Sequence, residues 1–183
     1  MRLITLTDII TAQQRLKPLI RKTPVIVSQR LNASLGGHEL FFKAENLQHG
    51  GAFKARGALN ALTRLKETQT PQPVVTYSSG NHAIAIAWAG AMLGIPTRVH
   101  MPTYASAVKR QTTERLGAEV VLHENRQAAE AACKADCVNG KRYCVPPFDH
   151  DDVIAGQGTA ALEFHEQTPE LDASAKCLKS LSD

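Results

Sequence analysis

The sequence contains few aromatic residues, no long apolar run and no block of like charge. Aromatic residues make up 5% of the 183 residues, and the formal net charge is only +4. Nucleic-acid-binding proteins usually carry a basic stripe with interleaved aromatic side chains, so no nucleic-acid partner is expected. No apolar run is long enough to span a membrane. The N-terminal segment turns polar too soon for a signal peptide, which makes the cytoplasm the expected location.

Cysteine is scarce, and its four occurrences lie in the last third of the chain, at Cys133, Cys137, Cys144 and Cys177. Because no secretory signal is recognised, free thiols are expected rather than disulfides. The spacing of Cys133 and Cys137 puts them on one face of a helix, as metal ligands can be. No second ligand pair follows at the spacing of a zinc finger, so no metal site is predicted.

The hydrophobic and charged fractions, 43% and 21%, are those of an ordinary globular protein. After residue 73, short apolar segments alternate with helical ones, which predicts parallel βαβ units with right-handed crossovers. The predicted strands are PVVTY, TRVHMP, AEVVLH and the extended RYCVPPF, and the predicted helices are SSGNHAIAIAWAGAMLG, SAVKRQTTERLG and NRQAAEAACKADC. The sequence therefore predicts an α/β fold with a three-layer parallel sheet in residues 74–148.

The N-terminal part is predicted to be mixed. TLTDIITAQQRLKPLI indicates a helix capped by Thr5 or Thr7. TPVIVSQRLNASLGG is predicted to start extended and to end in a glycine turn, and HELFFKAEN is predicted to form a strand. KARGALNALTRLKE indicates a helix, and the polar segment TQTPQP after it is a candidate domain boundary. DDVIAGQGTAALEFHEQTPELD predicts one more helix.

Lys54, in the stretch LQHGGAFKARGALNAL, has unusually small neighbours. They are Gly50, Gly51, Ala52, Ala55, Gly57 and Ala58. A solvated surface charge is the ordinary interpretation of a lysine. An amine must be neutral to attack a carbonyl, however, and burial favours the neutral form. With Phe53 beside it, Lys54 is therefore a candidate for bonding to a flat aldehyde cofactor.

A second motif, YSSGNHA at residues 77–83, lies where a predicted strand passes into a helix. Backbone N–H groups at such a helix N-terminus attract anions, and Gly80 allows a ligand to approach the backbone closely. An ordinary helix cap explains the serines and the asparagine equally well. The motif alone leaves both interpretations open.

Taken together, GGAFKARGALNAL and SSGNHA resemble the motifs of the fold-type II pyridoxal-phosphate enzymes, the tryptophan synthase β-like superfamily. The resemblance is greatest to the serine/threonine dehydratase and serine racemase family. RKTPV, LFFKAENLQ, KRQTTERLGAEVVLH and PPFDHDDVIAGQGTAALE agree as well, so the likeness extends from Thr7 to about Asp172. It implies pyridoxal 5'-phosphate as cofactor, a small amino acid as substrate, and a small domain (residues 74–148) between two parts of a large domain (residues 1–73 and 149–183).

The resemblance also implies roles for single residues. Lys54 would bind the cofactor as a Schiff base and remove the Cα proton of the substrate, with Phe53 beside the cofactor ring and Asn81 bonded to its phenolic oxygen. The substrate carboxylate would be bound by Ser78, Ser79, Gly80, Asn81 and His82. The implied reaction is β-elimination of serine or threonine to a 2-oxo acid and ammonia. Ser79 matches the serine that faces the other side of Cα in racemases, so racemisation is the alternative.

After PELD the sequence departs from the family pattern. The family continues into an apolar strand and a glycine run that binds the cofactor phosphate, whereas this chain reads ASAKCLKSLSD. The usual metal site of the family would also be missing. The resemblance therefore predicts an incomplete large domain, a divergent tail from about residue 173, weakened cofactor binding and little dehydratase activity.

Three functions remain open from the sequence. The first is a pyridoxal-phosphate enzyme or its remnant. The second is a non-catalytic interaction protein that forms a homodimer or docks on a full-length homologue, because an incomplete sheet would expose an edge and apolar surface. The third is a nucleotide-binding α/β module, and the lack of a G-x-G-x-x-G motif after any strand counts against it.

Overall fold

The computed structural model describes residues 3–36, 38–68, 72–138 and 142–173. Helices and strands alternate through most of this length, and two short 3-10 turns, Glu45–Leu47 and His49–Gly51, precede the third helix. The elements are α1 (Leu6–Leu16), β1 (Val25–Val27), α2 (Gln29–Ser34), β2 (Phe41–Lys43), α3 (Lys54–Thr68), β3 (Val74–Tyr77), α4 (Asn81–Leu93), β4 (Thr97–Pro102), α5 (Ala107–Arg115), β5 (Glu119–His123), α6 (Arg126–Val138), β6 (Tyr143–Cys144) and α7 (Asp151–Gln167).

The main sheet has four strands in the order β5-β4-β3-β6, and all its pairs are parallel. Successive side chains of a strand point to opposite faces, and β3 shows this directly. Val74 packs with residues of α4, whereas Val75 and Tyr77 pack with Ala129 and Cys133 of α6. Helices therefore cover both faces of the sheet, and the predicted three-layer α/β arrangement is confirmed.

The remaining helices pack beside this sheet. Strands β1 and β2 form a separate antiparallel pair, while α3 packs against both α4 and α7. Glycines permit the close approach of α3 and α7. A Cβ added at Gly156 would lie 2.6 Å from the carbonyl oxygen of Arg56, and one added at Gly57 would lie 2.8 Å from that of Val153.

A buried ionic network joins α3 to β2 and α7. The guanidinium of Arg56, 1% exposed, donates to both carboxylate oxygens of Glu45 at 2.8 Å and to those of Glu163 at 3.1 and 3.2 Å. Lys43 pairs with Glu163 as well. Burial alone would raise the pKa of Glu163, but the hydrogen bonds from Arg56 and Lys43 hold that pKa below its usual value. The network fixes α3 two residues beyond Lys54.

Several sequence predictions can be compared in detail with the structure. Thr5 rather than Thr7 caps α1, in a capping box with Asp8. Helix α2 was not predicted, because six residues are too few to display a helical apolar period; Ser28 caps it by accepting from the Leu31 amide.

Other predictions fall partly or wholly outside the described residues. These include the centre of the TQTPQP linker and the divergent tail. The division of the chain near residues 73 and 148 stays a prediction. Within the described ranges, no helix combines the length and apolar character needed to cross a membrane.

Candidate active site

A cleft of about 780 Å³ opens where β3 and β4 end. In parallel α/β sheets ligands bind at the carboxyl ends of the strands, so this is the edge at which a site is expected. The cleft is lined by Tyr77, Ser78, Ser79, Pro102, Tyr104, Ala105, Ser106, Lys109, Arg126, Ala129, Pro147 and Phe148. Its walls thus come from the turn after β3, the start of α5 and α6, and the loop after β6.

Lys54 is the first residue of α3, and its side chain reaches the wall of this cleft. Gly50 and Gly51 precede it with φ angles of 66° and 74°, a conformation that glycine adopts without strain. The half-buried Lys54 donates from Nζ to the carbonyl oxygen of Pro147 at 2.7 Å. Because Pro147 lines the cleft together with Ser78 and Ser79, the structure brings the amine and the serine-containing motif to the same part of the molecule.

Residues 78–82 form the serine–glycine turn, which connects β3 to α4. Gly80 occupies the N-cap of α4 and has no side chain with which to cap it, so the first amides of the helix lack a side-chain acceptor at that position. The Ser78 hydroxyl accepts instead from the Gly80 amide at 3.2 Å. Ser78 is half-buried and Ser79 is exposed to the cleft. The turn therefore offers hydroxyl and helix-terminal N–H donors to an anion.

His82 is buried behind the turn, and its ring is held in one tautomer. Nε2 lies 3.1 Å from the carbonyl oxygen of Val145; because a carbonyl only accepts, Nε2 carries the proton. Nδ1 is buried and has no hydrogen-bond partner. Burial, with smaller contributions from Lys54 and His150, lowers the pKa of His82 to about 3. The imidazole is therefore neutral, with an unsatisfied acceptor.

Two cationic side chains in the cleft were not predicted from the sequence. A Cβ added at Gly80 would lie 3.0 Å from Nζ of Lys109, so this ammonium lies directly over the turn. Arg126 also lines the cleft. Lys109 lies in the first turn of α5, and Arg126 is the first residue of α6. Nothing in the local sequence indicates that these two helix starts face the turn after β3. Together they favour a negatively charged ligand.

Phe53 and Asn81 are the two other residues predicted to contact the cofactor. Phe53 precedes Lys54, and Asn81 belongs to the serine–glycine turn. The ring centroid of Phe53 is 5.4 Å from Nζ of Lys54, but Phe53 lines a second cavity, described below, rather than the cleft. Asn81 is the first residue of α4 and is half-buried. The contacts assigned to these residues, and the catalytic roles of Lys54 and Ser79, stay predictions.

Comparison with known proteins agrees with this arrangement. Residues 16–179 match a family described as pyridoxal-phosphate dependent enzyme. Serine racemase from Schizosaccharomyces pombe is 43% identical over 175 residues, which cover 95% of this chain and 54% of that protein. L-threonine ammonia-lyase from Thermotoga maritima is 42% identical over 172 residues, which cover 93% of this chain and 42% of that protein.

Solved structures lead to the same family. The crystal structure of a pyridoxal 5'-phosphate-dependent aspartate racemase superposes with a TM-score of 0.88 at 42% identity, covering 94% of this chain and 54% of the other. The chain thus spans about half the length of the relatives it matches. With the predicted fold, the two motifs and the family match in agreement, the chain belongs to the family of pyridoxal-phosphate-dependent enzymes.

Proposed function

We propose that this chain carries the lysine and the substrate-carboxylate turn of an enzyme that eliminates the β-hydroxyl of serine or threonine, giving a 2-oxo acid and ammonia. The observation that carries the proposal is the position of Lys54. Its Nζ bonds to Pro147, a residue that lines the same cleft as Ser78 and Ser79. The relatives named above include both an ammonia-lyase and racemases, which supports chemistry at the Cα of an amino acid.

The residues present fit pyridoxal phosphate with an amino acid beside it. Lys54 supplies an amine for the aldehyde, and its acceptor is a backbone carbonyl that can release it. Gly80 leaves a space that a Cβ would fill against Lys109. The donors for a carboxylate are the Ser78 and Ser79 hydroxyls, the first amides of α4 and the ammonium of Lys109. The amine of Lys54 suits a flat aldehyde.

Each residue then has a distinct task. When bound, pyridoxal phosphate supplies an electron sink that makes the Cα proton of an amino acid acidic. Lys54 holds the cofactor through Nζ and takes the Cα proton there. The first amides of α4 and the ammonium of Lys109 would bind the carboxylate, and Asn81 would contact the cofactor ring. His82 fixes the turn to the loop after β6 by donating to Val145.

Cofactor attachment is tested without relying on turnover. The chain is mixed with pyridoxal phosphate, reduced with borohydride and digested, and the modified peptide is identified by mass spectrometry. We expect one dominant site at Lys54, which disappears in Lys54→Ala. Lys109→Ala, which removes another lysine of the same cleft, should keep the label. Equal labelling of many lysines in both variants would contradict the proposal.

The reaction is tested with serine and threonine in the presence of excess cofactor. Release of ammonia and 2-oxo acid is measured together with solvent deuterium exchange at Cα, which reports proton removal even when elimination is slow. We expect both signals to depend on Lys54. Labelling at Lys54 without exchange or product would separate a chain that only binds the cofactor from one that catalyses the reaction.

Racemisation is the alternative at the same site, because the exposed Ser79 lines the cleft. In this alternative Ser79 returns a proton to Cα from the face opposite Lys54. Formation of D-serine from L-serine, lost in Ser79→Ala while proton removal from L-serine persists, would favour racemisation. Product release unaffected by Ser79→Ala would favour elimination alone.

An interaction role is a second candidate, favoured by an apolar groove of about 670 Å³ between β2 and α7. The aromatic rings of Phe41, Phe42, Phe53 and Phe164 line it, and Phe42 is 44% exposed. We propose that a second copy of the chain or a full-length homologue covers this groove. Sedimentation of the chain alone and mixed with a full-length relative tests this, with Phe42→Asp expected to abolish association and Tyr104→Asp, in the cleft, to leave it unchanged.

The cytoplasmic location stays a prediction.

A further inference from the structure

Three cysteine side chains meet on the face of the main sheet that α6 covers. Cys133 and Cys137 lie one turn apart on α6, and Cys144 lies on β6. The three Sγ atoms all lie within 4.8 Å of one another, and those of Cys133 and Cys144 are 3.8 Å apart. All three are free thiols. The proposed function uses none of them.

The fold brings the third thiol to the other two. Cys144 pairs with Val75 in the parallel register of β6 and β3, and Val75 packs with Cys133 in one apolar cluster. The spacing of Cys133 and Cys137 indicated only a pair, and a pair without a further ligand led to the prediction of no metal site. The strand pairing supplies that further ligand, which the sequence spacing could not reveal.

We propose that Cys133, Cys137 and Cys144 bind one soft cation of the Cu(I) type through their three sulfur atoms. In a trigonal site with metal–sulfur bonds of about 2.3 Å, the sulfur atoms are about 4.0 Å apart, close to the spacing found here. Thiolates select soft ions such as Cu(I) and Zn(II). Structural zinc takes four ligands, and this group has no fourth histidine, cysteine or carboxylate among the residues the structure describes. Three-coordinate Cu(I) therefore fits best.

Thiols must lose their protons to bind a metal ion, so binding releases protons. Binding of Cu(I) forms three Cu–S bonds and releases the protons of the bound thiols to solvent.

The experiment uses Cys177→Ser as the parent protein, because its only thiols are then the three in question. The reduced parent is titrated anaerobically with Cu(I) against a chromophoric Cu(I) chelator. We expect one equivalent to bind, with an ultraviolet sulfur-to-copper charge-transfer band and loss of all three thiols from a thiol-reagent assay. Adding Cys133→Ser, Cys137→Ser or Cys144→Ser to the parent should weaken binding at least tenfold each.

Controls separate metal binding from folding. Circular dichroism checks that each variant is folded, and Cys137→Ser and Cys144→Ser carry most weight because these two side chains are only partly buried. A folded Cys137→Ser or Cys144→Ser variant that binds Cu(I) as tightly as the parent would overturn the proposal. A parent that binds no Cu(I) while its three thiols remain reduced would overturn it as well.

Discussion

His82 should make the folded chain sensitive to acid, because its imidazole is buried and neutral at the start of α4. Nε2 donates to the Val145 carbonyl at 3.1 Å, and burial lowers the pKa from 6.5 to about 3. Positive charge on Lys54 and on His150 acts in the same direction. A proton added to this ring would create a charge that solvent cannot reach, so the folded state resists it while the unfolded chain does not.

The sign and size of the effect follow from proton binding in the two states. Below about pH 6.5 the unfolded chain takes up a proton at His82, whereas the folded chain does so only near pH 3. The stability contributed by the depressed pKa is therefore complete above pH 6.5 and is lost as pH falls toward 3. The slope is about 1.4 kcal/mol per pH unit. Between pH 7.5 and 4.5 the free energy of unfolding should fall by about 2.7 kcal/mol through this group alone.

Urea unfolding at pH 7.5, 6.5, 5.5 and 4.5 measures this loss. His82→Gln removes the titrating ring and keeps an N–H donor for Val145, so the difference in unfolding free energy between the unsubstituted chain and the variant isolates His82. We expect that difference to shift by about 2.7 kcal/mol over the pH range in favour of the variant. As a control, His38→Gln replaces an exposed histidine and should show the same change in unfolding free energy with pH as the unsubstituted chain. If the free energies of unfolding of His82→Gln and of the unsubstituted chain change with pH by the same amount, the reasoning is refuted.

Three further predictions concern packing around the site. Gly156→Ala places a methyl group 2.6 Å from the Arg56 carbonyl oxygen, so we expect the free energy of unfolding to fall by about 1–3 kcal/mol. A thermal unfolding midpoint equal to that of the unsubstituted chain would contradict this. Arg56→Ala leaves Glu163 buried without its main partner and should cost about 3–5 kcal/mol in urea unfolding; a loss below 1 kcal/mol would show that the network is dispensable. His49 stacks on Trp88, the single tryptophan, with centroids 4.4 Å apart, so His49→Ala should shift the fluorescence emission to longer wavelength, and an unchanged spectrum would argue against the stack.

The parallel sheet could be predicted because its two central strands, β3 and β4, are short and mostly buried. Val74 to Tyr77 are all buried, and they appear in the sequence as a short segment of β-branched and aromatic residues. Helix α2 could not be predicted in the same way, since none of its six residues is buried and no apolar period marks it. Strand β6 pairs over only two residues, so its sequence indicated extended chain and no more.

Only those site residues that lie together in one continuous sequence motif could be predicted. Lys54 and the serine–glycine turn each lie within one motif, and the small residues around them are visible in the sequence. Lys109 and Cys144 reach their positions through crossovers that bring separate segments together. Their local sequences resemble an ordinary polar helix and a short strand, so no pattern distinguishes them from residues of no special function.

The position of the Lys54 amine depends on helix packing more than on the sheet. The acceptor of Lys54, Pro147, lies 93 residues further along the chain, in the loop that leads into α7. Helix α3 is held against α7 by the glycine contact at Gly156 and by the Arg56 network. The serine–glycine turn, by contrast, is fixed by β3 and by the bond from His82 to Val145. Amine and anion site are therefore positioned by two sets of contacts, and the segment 145–147 accepts a hydrogen bond from each.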